Sequence, residues 1–322
     1  RRRRCKQNDA RAERIFAAAD SSGIGITMIP VFYAHSDFGG SAPRQGQRRF
    51  LNNLDSYAQL YSRIEAMLTR DSNIGIAPHS LRAVTGGELA TLLELRSGVP
   101  VHIHAAEQTK EVEASLAFSG ARPIEWLLAN ANVNEHWCLI HATHMTDEEA
   151  QMLAGSGAVA GLCPITEANL GDGLFPAGRY LSASGRIATG TDSNILIDLS
   201  QEMRMLEYGQ RLSRRARNLL ASAAQPSVGR RLVDEVQAGG AQALGMAAGL
   251  AVGNVADIVT LDADHPALCG REGDLILDSW IFAGGTGCID AVWRAGRKLV
   301  AHGRHVERDA VRQRYRKTLK RI

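Results

Sequence analysis

The sequence has 322 residues, of which 45% are hydrophobic, 22% charged and 5% aromatic. This composition excludes a disordered chain, and the length suffices for one large domain or two smaller ones. The net charge of +3 is uneven, because Arg1–Arg4 and Lys6 contribute +5, residues 294–321 contribute +9 and the remainder carries −11. Solvated ends explain the basic segments better than a nucleic-acid site, since the C-terminal one offers only Tyr315 for stacking.

Targeting signals and cysteines bear on the compartment. No apolar run approaches the ~18 residues of a membrane span, and no apolar signal segment follows the opening arginines. The five cysteines are scattered and lack CxxC spacing, which favours a reducing compartment and argues against disulfides or a thiolate zinc site. We therefore expect a cytoplasmic protein that binds neither membranes nor nucleic acid.

Short apolar segments typical of buried strands alternate with amphipathic stretches that favour helices. The predicted strands are Gly25–Tyr33, Ile74–Pro78, Val101–Ala105, Trp137–His141, Ala158–Cys163 and Arg186–Thr191. The predicted helices are Leu54–Thr69, Gly87–Ser97, Glu111–Ser119, Pro123–Ala129 and Thr146–Ser156. Thr146 and Glu149 form a capping box, which marks a helix start. This alternation predicts βαβ units and a parallel sheet.

The pattern changes after residue 246. Gly249–Asp262 and Asp290–Arg304 are typical of β-hairpins with glycine turns. We therefore predict a small β domain at this end of the chain.

Polar residues collect at the carboxyl ends of the predicted strands, the edge at which (β/α)8 barrels build active sites. His102 and His104 alternate along one strand and so share a face, where one or both could bind a metal or simply be buried and hydrogen-bonded. Glu107 follows three residues after His104 at the end of this strand, and a histidine ligand with a nearby carboxylate for proton transfer is what hydrolytic zinc chemistry requires. No GxGxxG or P-loop pattern follows any strand, which argues against nucleotide binding.

Two further residues have two interpretations each, and a pair of histidines has one role each. Asp192 is either a metal ligand and proton acceptor or an Asx-turn or N-cap residue before a helix over Ile195–Leu206. Arg82 is either a carboxylate clamp or a helix-surface arginine. His141 is expected to point at the site, whereas its neighbour His144 is a surface or supporting group.

The segments VHIHAAEQ, IHATHM, GLCPITEANLGDGLFP and ATGTDSN, in this order, resemble the metal-dependent amidohydrolase superfamily. APHSLRAV and IPVFYAHSDFGG, followed by QRRF, are similar to formimidoylglutamate deiminases, and the resemblance extends from about Ala18 to about Arg304. It implies a zinc-dependent α/β enzyme with a (β/α)8 TIM barrel. Such an enzyme hydrolyses N-formimidoyl-L-glutamate to N-formyl-L-glutamate and ammonia in histidine degradation.

The resemblance also assigns site residues. It implies one Zn²⁺ per chain with His104 and Asp192 as metal ligands, and a catalytic set of Glu107, His141 and Asp192. The substrate-binding residues that it implies are Tyr33, His79 and Arg82. It further implies a homodimer, although no segment of the sequence identifies an interface.

One departure from the superfamily pattern shapes the expectation for this chain. The superfamily has an HxH pair on its first barrel strand, and none precedes Tyr33 here. We therefore expect residues 1–245 to form a barrel that lacks its first two strands, and residues 246–322 to form the C-terminal part of a β-sandwich with a basic tail. Two metal ligands fall short of the three that catalytic zinc sites use, so we expect an inactive, truncated chain.

Two other functions fit the same residues. One is an amidohydrolase deaminase of the guanine or cytosine type, which would need aromatic stacking rather than a cationic clamp. The other is a non-catalytic remnant of an enzyme.

Overall fold

Strands and helices alternate along the chain, as the sequence predicts for an α/β protein. The structure is a computed structural model that describes residues 2–193, 196–247 and 249–321. Its strands, numbered in chain order, are β1 Ile26–Met28, β2 Val31–Phe32, β3 Ser72–Ile74, β4 Ala77–Pro78, β5 Val101–Ala105, β6 Trp137–His141, β7 Val159–Leu162, β8 Arg186–Thr189, β9 Ile258–Leu261, β10 Ile289–Arg294, β11 Arg297–Ala301 and β12 Arg304–His305.

Twelve α-helices lie in the part of the chain that the structure describes. They are α1 Arg2–Ser22, α2 Leu54–Ala66, α3 Gly86–Leu95, α4 Thr109–Ser119, α5 Pro123–Asn130, α6 Asp147–Gly155, α7 Pro164–Leu170, α8 Ala177–Ser182, α9 Leu199–Arg214, α10 Val228–Ala243, α11 Leu275–Ser279 and α12 Arg308–Leu319. Short 3₁₀ turns lie at Phe38–Gly40, Gln45–Gln47 and Gly285–Cys288, and a π-helical turn lies at Trp280–Gly284. No described helix is long and apolar enough to cross a membrane.

The first eight strands pair in parallel. β5, β6, β7 and β8 form one sheet in chain order, β1 pairs with β3, and β2 pairs with β4. Isolated bridges from Ile76 to Val101 and from Ser80 to His104 join the broken strand β3–β4 to β5. We count β1–β2 and β3–β4 as one strand position each. The predicted parallel sheet is therefore confirmed, with six strand positions among the described residues.

The two predicted strands nearest the N-terminus are each broken in the middle. Pro30 separates β1 from β2, because proline has no N–H to donate to a neighbouring strand. Gly75 separates β3 from β4, and a Cβ at this position would lie 2.6 Å from the carbonyl oxygen of Pro100. The prediction of continuous strands over Gly25–Tyr33 and Ile74–Pro78 was wrong for these local reasons.

The two faces of the parallel sheet have different partners. Ile103, Leu139 and Ile187 point outward into the main hydrophobic cluster beneath the helices. Cys138 and Val159 point inward, where Ala243 of α10 packs against them. Because both faces are covered, the strands are apolar along most of their length and carry polar side chains mainly at their ends.

The chain ends in a four-stranded antiparallel sheet in the order β12–β11–β10–β9. This sheet confirms the predicted small β domain, and β10 with β11 confirms the predicted hairpin. Gly249–Asp262, however, contributes the single strand β9 and not a hairpin. Ile281, in the turn that follows α11, packs in the main hydrophobic cluster of the parallel sheet.

The N-terminal helix α1 was not predicted from the sequence. Its C-terminal end contacts the antiparallel sheet. Its last residue, Ser22, accepts a hydrogen bond from His305 Nε2 over 2.9 Å. Gly23 follows with a φ of 75°, and a Cβ there would lie 2.8 Å from Leu299. The turn after α1 thus needs glycine for both its backbone angle and its close approach to β11.

Candidate functional site

Three histidines stand side by side where the parallel strands end. His79 follows β4, His104 lies near the end of β5 and His141 ends β6. The ring centroids of His79 and His104 are 4.8 Å apart, and those of His104 and His141 are 5.7 Å apart. The parallel register therefore brings together side chains that are far apart in sequence.

His104 presents one free ring nitrogen to this edge. Its Nδ1 lies 2.7 Å from the carbonyl oxygen of His79. Because a carbonyl only accepts, Nδ1 carries the proton and Nε2 keeps its lone pair, the arrangement common in metal-binding histidines. Burial lowers the pKa of His104, although the same hydrogen bond opposes this shift, so the neutral form that binds metals is favoured.

His102 shares the face of His104 but lies at the other end of the strand. Its Nε2 donates to the carbonyl oxygen of Ala243 over 2.7 Å. His102 is therefore a buried, hydrogen-bonded histidine away from the candidate site, whereas His104 faces the site.

His141 lies between two carboxylates. Its Nδ1 is 3.2 Å from Glu167 Oε1, and its Nε2 is 3.8 Å from Glu107 Oε1. Burial lowers the pKa of His141, but the hydrogen bond to Glu167 and the charges of Glu107, Glu167 and Asp192 outweigh it, so the pKa is raised. The raised pKa favours binding of a proton by the His141 ring.

Arg82 connects Glu107 with a second, fully buried carboxylate. Its Nη2 lies 3.6 Å from Glu107 Oε2 and 3.9 Å from Glu111 Oε2. Glu111 also accepts from the backbone N–H groups of Ala106, over 3.1 Å, and Glu107, over 3.0 Å. The Arg82 side chain is 30% exposed, and its Nε is buried with no hydrogen-bond partner among the described residues. A ligand carboxylate can therefore reach the guanidinium from the open side.

Tyr33 and His79 form the other flank of the site. Their ring centroids lie 4.7 Å apart, edge to face, and the Tyr33 hydroxyl accepts from Gln47 Nε2 over 2.8 Å. Burial, with the charges of His104 and Arg82, lowers the pKa of His79 to about 3. His79 is therefore a neutral hydrogen-bonding group near pH 7.

Asp192 follows β8 and is exposed. Its charge contributes to the raised pKa of His141 and partly offsets the lowered pKa of His104. The alternative that Asp192 caps a helix was wrong, because α9 begins at Leu199 and Asp198 accepts from Ser200 N–H as its N-cap. Ile195, the predicted start of that helix, lies outside the described residues.

Left-handed backbone recurs at these strand ends. Ala106, His141, Ala142 and Asp192 have φ angles of 51°, 70°, 49° and 49°. Residues other than glycine adopt this region at a cost of ~1–3 kcal/mol. The surrounding hydrogen bonds, such as those from Ala106 and Glu107 to Glu111, hold the chain there.

The donors present do not complete a catalytic zinc site. The free Nε2 of His104 and the carboxylate of Asp192 suit the ion, but catalytic zinc takes three protein ligands. Within the described part of the chain, no group of three or more His, Cys, Asp or Glu side chains could hold a metal ion.

Sequence analysis missed Glu111 and assigned no role to Glu167. Each lies in the first turns of the helix that follows a strand, and each reaches back to the strand end. The sequence signal for Glu111 was a carboxylate four residues after Glu107. The signal for Glu167 was its place in the CPITE segment. His144, expected at the surface or in support, donates from Nε2 to the carbonyl oxygen of Asp172 over 2.7 Å.

Comparisons with known proteins identify the family of this chain. The profile of the amidohydrolase family matches residues 6–299. Formimidoylglutamate deiminase of Pseudomonas aeruginosa is 50% identical over 295 residues, which cover 91% of this chain and 65% of the relative. This chain therefore spans about two thirds of that relative's length.

Solved structures give the same result. An amidohydrolase from Brucella melitensis superposes with a TM-score of 0.92 at 49% identity, covering 96% of this chain and 69% of that one. An adenosine deaminase from Xanthomonas campestris, solved with bound zinc, superposes with a TM-score of 0.78 at 22% identity, covering 97% and 70%, and supports the fold alone. On the match over residues 6–299, the chain belongs to the amidohydrolase family.

Proposed function

We propose that this chain carries the substrate-binding and proton-transfer residues of a formimidoylglutamate deiminase. The reaction would convert N-formimidoyl-L-glutamate and water to N-formyl-L-glutamate and ammonia. The observation that carries the proposal is the cluster of Arg82, Glu107 and His141 in a chain half identical to a protein of that name. A cation beside two proton-transferring groups suits a substrate with carboxylates at one end and an amidine at the other.

Arg82 binds a substrate carboxylate in this proposal. The guanidinium is planar and presents paired donors that match a carboxylate. Tyr33 and His79 form the adjacent wall and offer hydrogen bonds from neutral groups. Binding at Arg82 would hold the formimidoyl end of the substrate toward His141 and Glu107, which contributes through orientation.

Glu107 and His141 move protons. His141 takes a proton from the attacking water, and Glu107 carries protons to the nitrogen that leaves as ammonia. Each such group typically contributes a factor of ~10²–10⁴ to the rate. The metal in this proposal is zinc, with His104 and Asp192 as the ligands that this chain supplies.

The test combines binding, metal content and turnover. Calorimetric titration with N-formyl-L-glutamate should show binding that Arg82→Met weakens by ~10–150-fold, the loss of one charge-assisted contact. Arg96→Met is the matched control, because Arg96 is exposed and pairs with Glu65. Equal affinities in wild type and Arg82→Met would contradict the proposal. Tighter binding of guanine than of N-formyl-L-glutamate would favour a deaminase of the guanine or cytosine type.

Zinc content and ammonia release test the metal assignment. With only two ligands from this chain, we expect less than one tightly bound zinc and no turnover at an ordinary enzymatic rate. One zinc per chain with such turnover would show that the assignment of two ligands is incomplete.

A further inference from the structure

The contact between His141 and Glu167 lies behind the residues that meet solvent. The side chains are 1% and 4% exposed, and Nδ1 lies 3.2 Å from Oε1. Glu107, on the other side of the imidazole, is 17% exposed and faces Nε2. The two ring nitrogens therefore have different surroundings, one inside the protein and one toward the site.

The backbone fixes the position of the Glu167 carboxylate. Its Oε1 also accepts the N–H of Cys163 over 2.9 Å. Glu167 lies in α7, and its own N–H donates to the carbonyl oxygen of Cys163 over 2.9 Å. The side chain and backbone of Glu167 thus both bind the residue that precedes the helix.

An ionised carboxylate accepts hydrogen bonds and donates none, so the contact requires a proton on Nδ1 of His141. We propose that Glu167 is a positioning residue that fixes His141 as the Nδ1–H tautomer and directs its Nε2 lone pair at the reacting water. This inference rests on the proposed function only for the identity of the reaction, because the tautomer is a property of the free protein.

The tautomer decides what His141 can do. With Nδ1 protonated, Nε2 accepts a proton from water as the water oxygen forms its bond to the formimidoyl carbon, and the π bond of the C=N group breaks with its electron pair moving to the nitrogen. The ring then carries a proton on each nitrogen. Glu167 accepts from Nδ1–H, and the Glu107 carboxylate faces Nε2–H. In the other tautomer, Nε2–H would face the water and could not take its proton.

Nitrogen-15 NMR of histidine-labelled protein tests the tautomer directly. The signals of His141 are identified as those missing from a His141→Asn variant, and spectra are recorded at alkaline pH, where the ring is neutral. We expect the pyrrole-type shift on Nδ1 and the pyridine-type shift on Nε2. A wild-type protein with the reverse assignment would overturn the proposal.

Two substitutions separate the hydrogen bond from the charge. Glu167→Met removes the acceptor and should exchange the two shift types, whereas Glu167→Gln retains an acceptor oxygen and should preserve the wild-type pattern. Glu207→Met is the control for loss of a buried carboxylate, because Glu207 is fully buried but accepts from Leu219 and Leu220 N–H. It should leave the His141 signals unchanged.

A folded Glu167→Met protein that retains the wild-type pattern would contradict the proposal. If that variant does not fold, the spectra of wild type and Glu167→Gln decide, since both must show protonated Nδ1. Failure of N-formyl-L-glutamate to bind would contradict the proposed function and leave the tautomer result standing, so the two outcomes are distinguishable.

Discussion

The parallel sheet β5–β8 and the antiparallel sheet β9–β12 bury their strands to different extents. All four residues of β7 are buried, whereas none of the four in β9 is. The parallel strands are covered by helices on one face and by packed side chains on the other, but the antiparallel strands are partly open to solvent. A side chain in β7 is therefore fixed by contacts on every side.

This difference explains where the chemistry lies. A sheet covered on both faces leaves polar side chains few places except the carboxyl ends of its strands, where Glu107 and His141 are held at defined distances. The antiparallel sheet lacks such a covered edge and carries none of the predicted site residues. Two predictions test the contrast between the two sheets, and two more test the helices that accompany the parallel sheet.

Cysteine reactivity should show the largest difference. Burial raises the pKa of the Cys138 thiol, on the inner face of β6, to about 12. Cys269, beyond β9, is exposed. Three units of pKa amount to about a thousandfold less thiolate, so at pH 8 iodoacetamide should modify Cys269 and leave Cys138 intact. Peptide mass spectrometry gives the ratio, and comparable modification would show that the inner face is open to solvent.

Core truncation should cost several kcal/mol in one sheet and little in the other. Leu139 in β6 is fully buried, and Val259 in β9 is 55% exposed. Leu139→Ala should lower the free energy of unfolding by ~2–5 kcal/mol, and Val259→Ala by less than ~1 kcal/mol. Urea unfolding monitored by circular dichroism measures both, and similar losses would remove the contrast.

Two adjacent glycines in α10 test how closely the helix approaches β8. A Cβ at Gly239 would lie 2.1 Å from the carbonyl oxygen of Ile187, whereas a Cβ at Gly240 meets nothing within 4 Å. Gly239→Ala should destabilise the protein by ~1–3 kcal/mol through overpacking. Gly240→Ala should stabilise it by ~0.5–1 kcal/mol, since alanine favours helix. Opposite shifts in thermal melting are expected, and shifts of equal sign would place the contact elsewhere.

Helix capping should give the smallest effect. Thr146 accepts from Glu149 N–H at the start of α6, which packs over the parallel sheet. Thr146→Ala should cost ~0.5–2 kcal/mol, whereas Thr91→Ala, at an exposed position inside α3, should be neutral or slightly stabilising. A melting temperature unchanged by Thr146→Ala would mean that this cap is not required.

Much of the parallel sheet could be predicted from sequence because its strands are continuous apolar runs. Val101–Ala105 and Trp137–His141 have the predicted bounds. The break at Pro30 could have been read from the sequence, because a proline inside an apolar run cannot donate to a neighbouring strand, whereas the break at Gly75 depends on the position of Pro100. Helix α1 was missed because its first residues are almost all polar, and a helical stripe needs apolar residues.

The candidate site was predictable to the extent that strand ends meet at one edge. This rule grouped His79, His104 and His141, and the structure brings their rings together. It could not find Glu111 or give Glu167 a role, because a buried carboxylate in a helix looks like a solvated one until the backbone it contacts is known. The rule also could not decide which of His102 and His104 faces the site, because that depends on the position of Ala243.

The left-handed turns after β5 and β6 restrict how this sequence can vary. Ala106 and Ala142 are fully buried, and their φ angles are 51° and 49°. A β-branched side chain there would meet both its own backbone and packed neighbours, and only glycine or another small residue avoids the two conflicts. Other chains that build this edge should therefore have small residues at these two positions, whatever substrate they act on.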